Sequence, residues 1–396
     1  MTEKNKSIGN FPNSGNVPKL RFSEFTEEWQ VKKLGEIGEI VNGLTYNPDN
    51  IDDSGILVLR SSNVQNRIVT LKDNVFVKTD KFNPVKENDI LICVRNGSKN
   101  LIGKNAIIKK DNEGLAFGAF MTVFRSPYNK FVFQWFDTKQ YKEIVNKNLG
   151  ATINSINGSD LKKFKVPFPS YEEQQKISSL LSLIDDRIEL SMKILKDLES
   201  LIKGFREKIF TRKLRFQNEN KVSFSSWEMK KLNYLCEIKK GEQLNKDDLN
   251  ETGSYPCING GVTFSGFTEK YNSEENTITI SEGGNSCGYV NFMVTKFWLG
   301  GHCYKIILNE NISKKYFYHL LKYNESKIMT LRVGSGLPNI QLKDLKNLNL
   351  FASNDFEEQT KIANFLSSID EKIETEKKIL AQYETQKKYL LANLFV

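Results

Sequence analysis

The chain repeats itself, and the repeat constrains the fold more than any other feature. Trp29, Lys32, Lys33, Leu34, Glu39, Ile40 and Gly43 recur 198 positions later as Trp227, Lys230, Lys231, Leu232, Glu237, Ile238 and Gly241. Tyr171-Glu172-Glu173-Gln174-Gln175-Lys176-Ile177 recurs 185 positions later as Phe356-Glu357-Glu358-Gln359-Thr360-Lys361-Ile362. The edges of the repeat match and its middle does not. That pattern suits one scaffold duplicated, with two different readers mounted on it. A chain of 396 residues accommodates the two copies as separate domains.

Each copy ends in a long helix. Ser170 with Glu173, and Asp355 with Glu358, have the spacing of a capping box. Apolar residues then fall at alternating spacings of four and three. In the first copy they are Ile177, Leu181, Ile184, Ile188, Leu195, Leu198, Ile202, Phe205 and Ile209. In the second they are Ile362, Leu366, Ile369, Ile373, Leu380, Tyr383, Leu390 and Leu394. This is a heptad seam of about five heptads, or about 33 residues and on the order of 50 Å. Ser191 and its counterpart Glu376 interrupt the seam at the same place, and Lys387 interrupts the second again. A seam needs a partner, and two helices of matched length in one chain can bury each other. The expectation is an antiparallel intramolecular coiled coil; the competing reading packs each helix on its own domain alone.

Ahead of each helix lies a mixed region. Strand-like runs are Ile56–Leu59, Asp89–Val94, Ala106–Ile108 and Met121–Phe124, then Thr277–Ile280 and Tyr304–Leu308. Residues 131–146 and 315–330 each read as one helix. The mixture argues for α+β in both copies. The expected organisation is a flexible tail over 1–17, a first mixed domain over 18–169 and a central helix over 170–215. A second mixed domain over 216–354 and a C-terminal helix over 355–396 follow.

The net charge of +9 favours a polyanionic partner, most often nucleic acid. The five cysteines are scattered, odd in number and lack a C-x-x-C pair, which fits a reducing cytoplasm. His302 and Cys303 are adjacent, but two neighbours do not make a metal site. No run of 18 apolar residues reads as a membrane span. Gly283-Gly284-Asn285-Ser286-Cys287-Gly288 is followed by no Gly-Lys-Ser/Thr, and no G-x-G-x-x-G opens a βαβ unit. Asn47-Pro48-Asp49 and Asn83-Pro84-Val85 lack the Pro-aromatic pair of amino-methyltransferases. With no nucleophile–base pair and no acidic cluster beside a lysine, the chain reads as non-catalytic.

The turns between strands are the candidate readers. Arg60, Ser62 and Asn63 close one strand of the first copy; Arg95, Asn96, Ser98 and Lys99 close another. Arg reaches guanine bidentately, Asn reaches adenine, and Ser and Lys bind bases or phosphates. In the second copy the corresponding turns carry Asn259 and Thr263, then Glu282, Asn285 and Ser286; Glu282 can accept from a cytosine amino group. Asn154, Asn157, Arg332 and Asn339 complete the set. Against this stands plain turn chemistry, which also selects Asn-Gly and Gly-Gly.

Pro18-Lys19-Leu20-Arg21-Phe22, Trp29, Lys32-Lys33-Leu34-Gly35, Asp89-Ile90-Leu91-Ile92 and Glu172-Glu173-Gln174-Gln175-Lys176-Ile177, repeated in part, resemble the specificity (S) subunit of type I restriction–modification systems. The resemblance covers about residues 18–395. It implies two target recognition domains, each reading half of a split double-stranded DNA site. It implies that the two helices pair as a spacer and dock two methyltransferase (M) subunits. Restriction (R) subunits would complete an ATP-dependent endonuclease. S-adenosylmethionine, ATP and Mg belong, on this resemblance, to the partner subunits and not to this chain. Two other readings stand beside it: a coiled-coil adaptor without DNA recognition, and an atypical DNA methyltransferase.

Overall fold

The computed structural model describes residues 16–149, 154–224, 227–334, 336 and 338–396, with the backbone of 8–10. Two compact units are present, Met1–Leu190 with Leu380–Val396, and Ser191–Ile379. They cut across the expected boundaries: the divisions fall inside two long helices, Tyr171–Phe210 of 40 residues and Phe356–Asn393 of 38.

The first unit is built on a four-stranded antiparallel sheet, in the order Asn105–Ile107, Ile90–Cys93, Met121–Arg125 and Glu39–Asn42. All four residues of Ile90–Cys93 are buried, so the continuous apolar run is an interior strand rather than an alternating surface one. A second sheet orders Ala116–Phe117, Ile51–Leu59 and Phe76–Val77, its first pair parallel. Gln30–Lys33 pairs with Lys165–Phe168 and brings the two ends of the mixed region together.

The second unit has the same topology. Its four-stranded sheet runs Val290–Met293, Thr277–Ser281, Cys303–Leu308 and Cys236–Lys240. Its three-stranded sheet runs Gly266–Thr268, Tyr255–Ile258 and Trp298–Leu299, again with one parallel pair. Trp227–Lys231 pairs with Asn349–Ser353. The repeated glycine has a steric reason. A Cβ on Gly43 would sit 2.2 Å from the Gly118 carbonyl oxygen, and one on Gly241 2.3 Å from that of Gly300. Only glycine allows the backbones this close.

The expected strands are all present, with ends shifted by a residue or a few. The expected single helices are each two. Asn129–Trp135 stops before Lys139–Lys147, because Thr138 donates to the Trp135 carbonyl and its hydroxyl accepts from the Tyr141 amide. Lys314–Tyr323 and Glu325–Met329 are divided at Asn324, whose amide donates to the Leu320 carbonyl. Within the expected tail, Ile8–Asn10 pairs antiparallel with Leu20–Phe22, and the remaining residues before 16 lie outside the described set.

The capping boxes are only half formed. Ser170 accepts from the Glu173 amide at 3.3 Å, and Asp355 accepts from the Glu357 and Glu358 amides at 2.9 and 3.1 Å. The glutamate side chains do not fold back to the cap. Both turn inward and are almost fully buried, Glu173 against Arg21 and Glu358 against Trp227 and Ser353. The following glutamines are buried too. Gln174 donates to the Pro169 carbonyl and Gln359 to the Ser353 carbonyl, both at 2.9 Å. The repeated Glu-Gln pair is thus an interior clamp between strand and helix.

Of the seam, Ile177, Leu181, Ile184, Ile202, Ile209, Ile362, Leu366, Ile369, Ile373, Leu390 and Leu394 are buried. Ile188, Leu195, Leu198, Phe205, Leu380 and Tyr383 are half-buried. In the first unit Ile177, Leu181 and Ile184 share a core with Leu390, Leu394 and Phe395. Phe395 lies 6.2 Å from Trp29 and 5.4 Å from Phe131. Lys387, an interruption of the seam, is buried in an ionic cluster with Asp185 at 2.6 Å and Asp137 at 2.7 Å. In the second unit Phe210 lies 6.2 Å from Trp227 and 5.9 Å from Tyr316, repeating the arrangement. Phe205 there meets Phe365 edge-on at 4.9 Å, and Arg206 meets Asp370 at 3.4 Å. Each unit is therefore closed by the tail of the long helix that began in the other copy of the repeat.

Candidate nucleic-acid interface

The turns singled out as readers gather at one end of each unit, because they close strands that end together. In the first unit the Gly118 amide donates to the Leu59 carbonyl, and the Val94 and Arg95 amides both donate to that of Phe120. Arg95 bridges to Ser155, and the Asn96 amide donates to the Asn154 carbonyl. The loops over 60–63, 95–99, 118–120 and 154–155 thus share one surface.

Their side chains divide into presenters and braces. Arg95, Ser98 and Lys99 are exposed, and Arg60 is half-buried. The Arg95 guanidinium stands 5.7 Å from the ring of Phe120, a large apolar side chain that is 57% exposed. Asn96 donates to the Ser61 hydroxyl at 3.0 Å and accepts from the Ser98 amide, while Asn154 donates to the Gly97 carbonyl. Both lock the loops together. Asn63 is a correction: it is fully buried, accepts from the Arg60 amide and donates to the carbonyls of Thr70 and Lys72. It cannot reach a ligand without dismantling its own turn. Asn157 is exposed, and its side chain caps the Gly158–Lys162 helix by accepting from the Asp160 amide at 2.8 Å. Ser62 is half-buried, with a hydroxyl that has no hydrogen-bond partner.

The second unit assembles its end from equivalent positions. The Gly300 amide donates to the Ile258 carbonyl, the Glu282 amide to His302, and the Gly284 amide to Pro338. Gly283 bridges to Asn339 as Arg95 bridges to Ser155. This register places Glu282 where the first unit has Val94, His302 where it has Phe120, Tyr304 where it has Thr122, and Lys240 where it has Asn42. The outcome is a polar cluster. One oxygen of Glu282 accepts from Lys240 Nζ at 2.7 Å and from the Tyr304 hydroxyl at 2.9 Å. The other faces His302 Nδ1 at 3.9 Å. Burial, reinforced by the Glu282 contact, pushes the Tyr304 phenol above its usual range and keeps it a donor.

Asn259 accepts from the His302 amide, and Ser286 donates to the Gly260 carbonyl, so both brace this end. Thr263, Asn285 and Arg332 are exposed; Arg332 donates to the Met329 carbonyl, and the half-buried Asn339 accepts from Gln341. The sequence alone did not single out Phe120, Lys240 or Tyr304, and it considered His302 only as a metal ligand. Lys240 had a legible signal, since it directly precedes the repeated Gly241. Cys303 turns inward, accepts from the Gly260 amide, and burial pushes its thiol up to about 11. Among the described residues no three His, Cys, Asp or Glu side chains converge to hold a metal ion, and no helix is long and apolar enough to cross a membrane.

Known proteins carry the same pattern. Residues 26–200 and 225–385 match the family model of the type I restriction modification DNA specificity domain. S.MpnORF638P of Mycoplasma pneumoniae, named as a type I specificity subunit, is 40% identical over 152 residues, 38% of this chain. A counterpart from Mycoplasma genitalium is 37% identical over 151 residues, also 38% of this chain. The chain spans 40% and 39% of the length of these two relatives in the matched stretch. The specificity subunit of the MjaIX restriction enzyme from Methanocaldococcus jannaschii is 26% identical over 381 residues, 84% of this chain and 83% of that one. The crystal structure of a type I restriction–modification S subunit from M. genitalium shares the fold, with a TM-score of 0.70 at 22% identity over 96% of this chain and 99% of that one. With both copies of its repeat matched by the model, the chain belongs to the type I restriction–modification DNA specificity family.

Proposed function

We propose that this chain is the non-catalytic specificity subunit of a type I restriction–modification complex, each unit reading one half of a bipartite double-stranded DNA site. The observation that carries this reading is the pairing of one repeated topology with two chemically different loop ends. A scaffold built twice and tipped differently is what reading two unlike half-sites requires. The excess of positive charge supplies the sequence-independent attraction to phosphates.

The two long helices serve as the spacer, pairing antiparallel as a coiled coil. In one unit Asp185 meets Lys387 and in the other Arg206 meets Asp370, so the contact positions ascend on one helix as they descend on the other. Their paired length sets the gap between half-sites, and their outer faces dock two M subunits, with R subunits joining in the full complex. S-adenosylmethionine, ATP and Mg act on those partners; this chain binds none of them, and the complex works in the cytoplasm.

Replacing residues 222–352 with the equivalent region of a relative tests the reading. Methylome sequencing of a host carrying the chimera is expected to show one altered half-site and one unchanged. A change in both half-sites would defeat the idea of independent readers. Within the first unit, Arg95→Ala is expected to weaken cognate binding by about 1–3 kcal/mol while sparing random DNA. Equal losses on both would place Arg95 on a phosphate.

A further inference from the structure

The two loop ends differ most at one position. Where the first unit carries the apolar Val94, the second carries the carboxylate of Glu282, 13% exposed. Such a partly desolvated charge is costly unless donors hold it. Lys240 supplies one and Tyr304 a second, both on the same oxygen, Oε1, with the Tyr304 hydroxyl shared with the Ile340 carbonyl at 3.0 Å. The second oxygen, Oε2, is left facing His302 Nδ1 at 3.9 Å, beyond hydrogen-bond distance. His302 is itself 62% exposed, so this edge of the carboxylate is reachable from the loop end. The arrangement is a fixed acceptor with one oxygen occupied and one available. The first unit has no equivalent, because Asn42, Thr122 and Phe120 occupy the matching positions.

In the major groove only adenine and cytosine offer an amino donor; guanine and thymine present acceptors at the corresponding points, which a carboxylate repels. We propose that Glu282 is a specificity-determining residue of the second unit, accepting through Oε2 from the exocyclic amino group of an adenine or a cytosine. Lys240 and Tyr304 are its positioning residues: they fix the carboxylate without touching the base. This rests on the DNA-reading function proposed above and adds to it one base contact, made to a major-groove amino group of the second half-site.

The test uses the full chain assembled with methyltransferase subunits and a randomised duplex library to define both half-sites. Synthetic duplexes then replace each adenine by purine and each cytosine by pyrimidin-2-one, deleting one amino group at a time. For the wild type, one such deletion in the second half-site is expected to weaken binding about ten- to a hundredfold. In Glu282→Ala the same deletion is expected to cost little, and the first half-site is read unchanged. Glu282→Gln tests the acceptor itself: a carboxamide whose oxygen is held by Lys240 and Tyr304 turns its NH2 toward the base and no longer accepts from an amino group, so the same deletion is expected to cost little there too. Lys240→Met and Tyr304→Phe keep the carboxylate but free it, and are expected to blur preference at that same position. They read the same position if the Glu282 variants do not fold. A Glu282→Ala complex as sensitive as wild type to every amino deletion overturns the inference, as does equal weakening on cognate and random duplexes. A wild-type complex with no sequence preference overturns the specificity reading itself, and this inference with it.

Discussion

Glu173 and Glu358 occupy the same place in the two copies of the repeat, and they are held by different means. Glu173 takes both oxygens to Arg21, with contacts of 2.8 Å each. Glu358 takes one oxygen to the Trp227 indole at 2.7 Å and the Ser353 hydroxyl at 2.6 Å. The first unit has Trp29 in the position of Trp227, but its indole N–H is buried without a partner. It has Pro169, which carries no hydroxyl, where the second has Ser353, between the strand and the helix. The second copy even keeps the arginine: Lys213-Leu214-Arg215-Phe216 repeats Lys19-Leu20-Arg21-Phe22, yet Arg215 is exposed and donates to the Phe224 carbonyl. A buried carboxylate at the helix entry is common to both, and its partner is not. The scaffold demands that the charge be satisfied, and it accepts a cation or a pair of neutral donors equally.

That contrast breaks most sharply at the arginines. Arg21→Ala strands a buried carboxylate and is expected to cost about 3–5 kcal/mol. Arg215→Ala touches an exposed side chain and is expected to stay within about 0.5 kcal/mol. Hydrogen exchange resolved along the chain distinguishes the two, since protection should fall in the first unit alone. Comparable losses from both substitutions would mean that Arg215 supports its unit in a way the contacts do not reveal.

A second contrast is sensitivity to acid. His319 of the second unit stands where the first has Gln134, each beside an aspartate of a long helix, Asp370 and Asp185. His319 is fully buried; that burial, with Arg206 and Lys315 nearby, pushes its pKa down to about 2. The unfolded chain binds a proton near pH 6.5 that the folded unit refuses. Stability from this site is therefore complete above about pH 6.5 and falls as the pH drops toward the folded value. The second unit is expected to lose about 2 kcal/mol between pH 7 and pH 5, a loss His319→Gln removes. Equilibrium unfolding at several pH values, with exchange read unit by unit, checks it. An unchanged slope in His319→Gln would assign the acid sensitivity to other groups.

How much of this was legible in the sequence follows the range of the interactions. Strands such as Ile90–Cys93 and Cys303–Leu308 were readable because apolar runs between turn residues are local signals. The seam was readable for the same reason. The division of 131–146 was not, because its apolar spacing continues straight across Thr138 while one hydroxyl redirects the backbone. The inward turn of Glu173 was hidden, since a capping box and a buried clamp share the same four-residue signature. The return of Phe395 to Trp29 is a contact across most of the chain, which no local pattern encodes. At the loop ends residue type does not tell an exposed side chain from one that braces the loops. Asn63 and Arg60 are near neighbours, and only burial separates the brace from the presenter.

The finest test of the comparison is at the two tryptophans. Trp29 and Trp227 are both buried and both edge-on to aromatics; Trp227 opens the strand that pairs with the segment entering the helix, and Trp29 immediately precedes its counterpart. Phenylalanine at either position removes similar volume and leaves a similar cavity, so the packing cost is shared. The hydrogen bonds differ. Trp227→Phe takes one of two donors from the buried Glu358, whose Ser353 contact remains. Trp29→Phe removes an N–H that had no partner, and with it a small desolvation penalty. The substitution in the second unit is therefore expected to cost about 1.5 kcal/mol more than the one in the first. The excess should shrink in a Glu358→Gln background, where the lost donor no longer serves a charge. Equal costs for Trp29→Phe and Trp227→Phe, measured by denaturant unfolding of each single variant, would show that Ser353 alone suffices for Glu358. The two ways of holding the helix entry would then differ less in energy than in geometry.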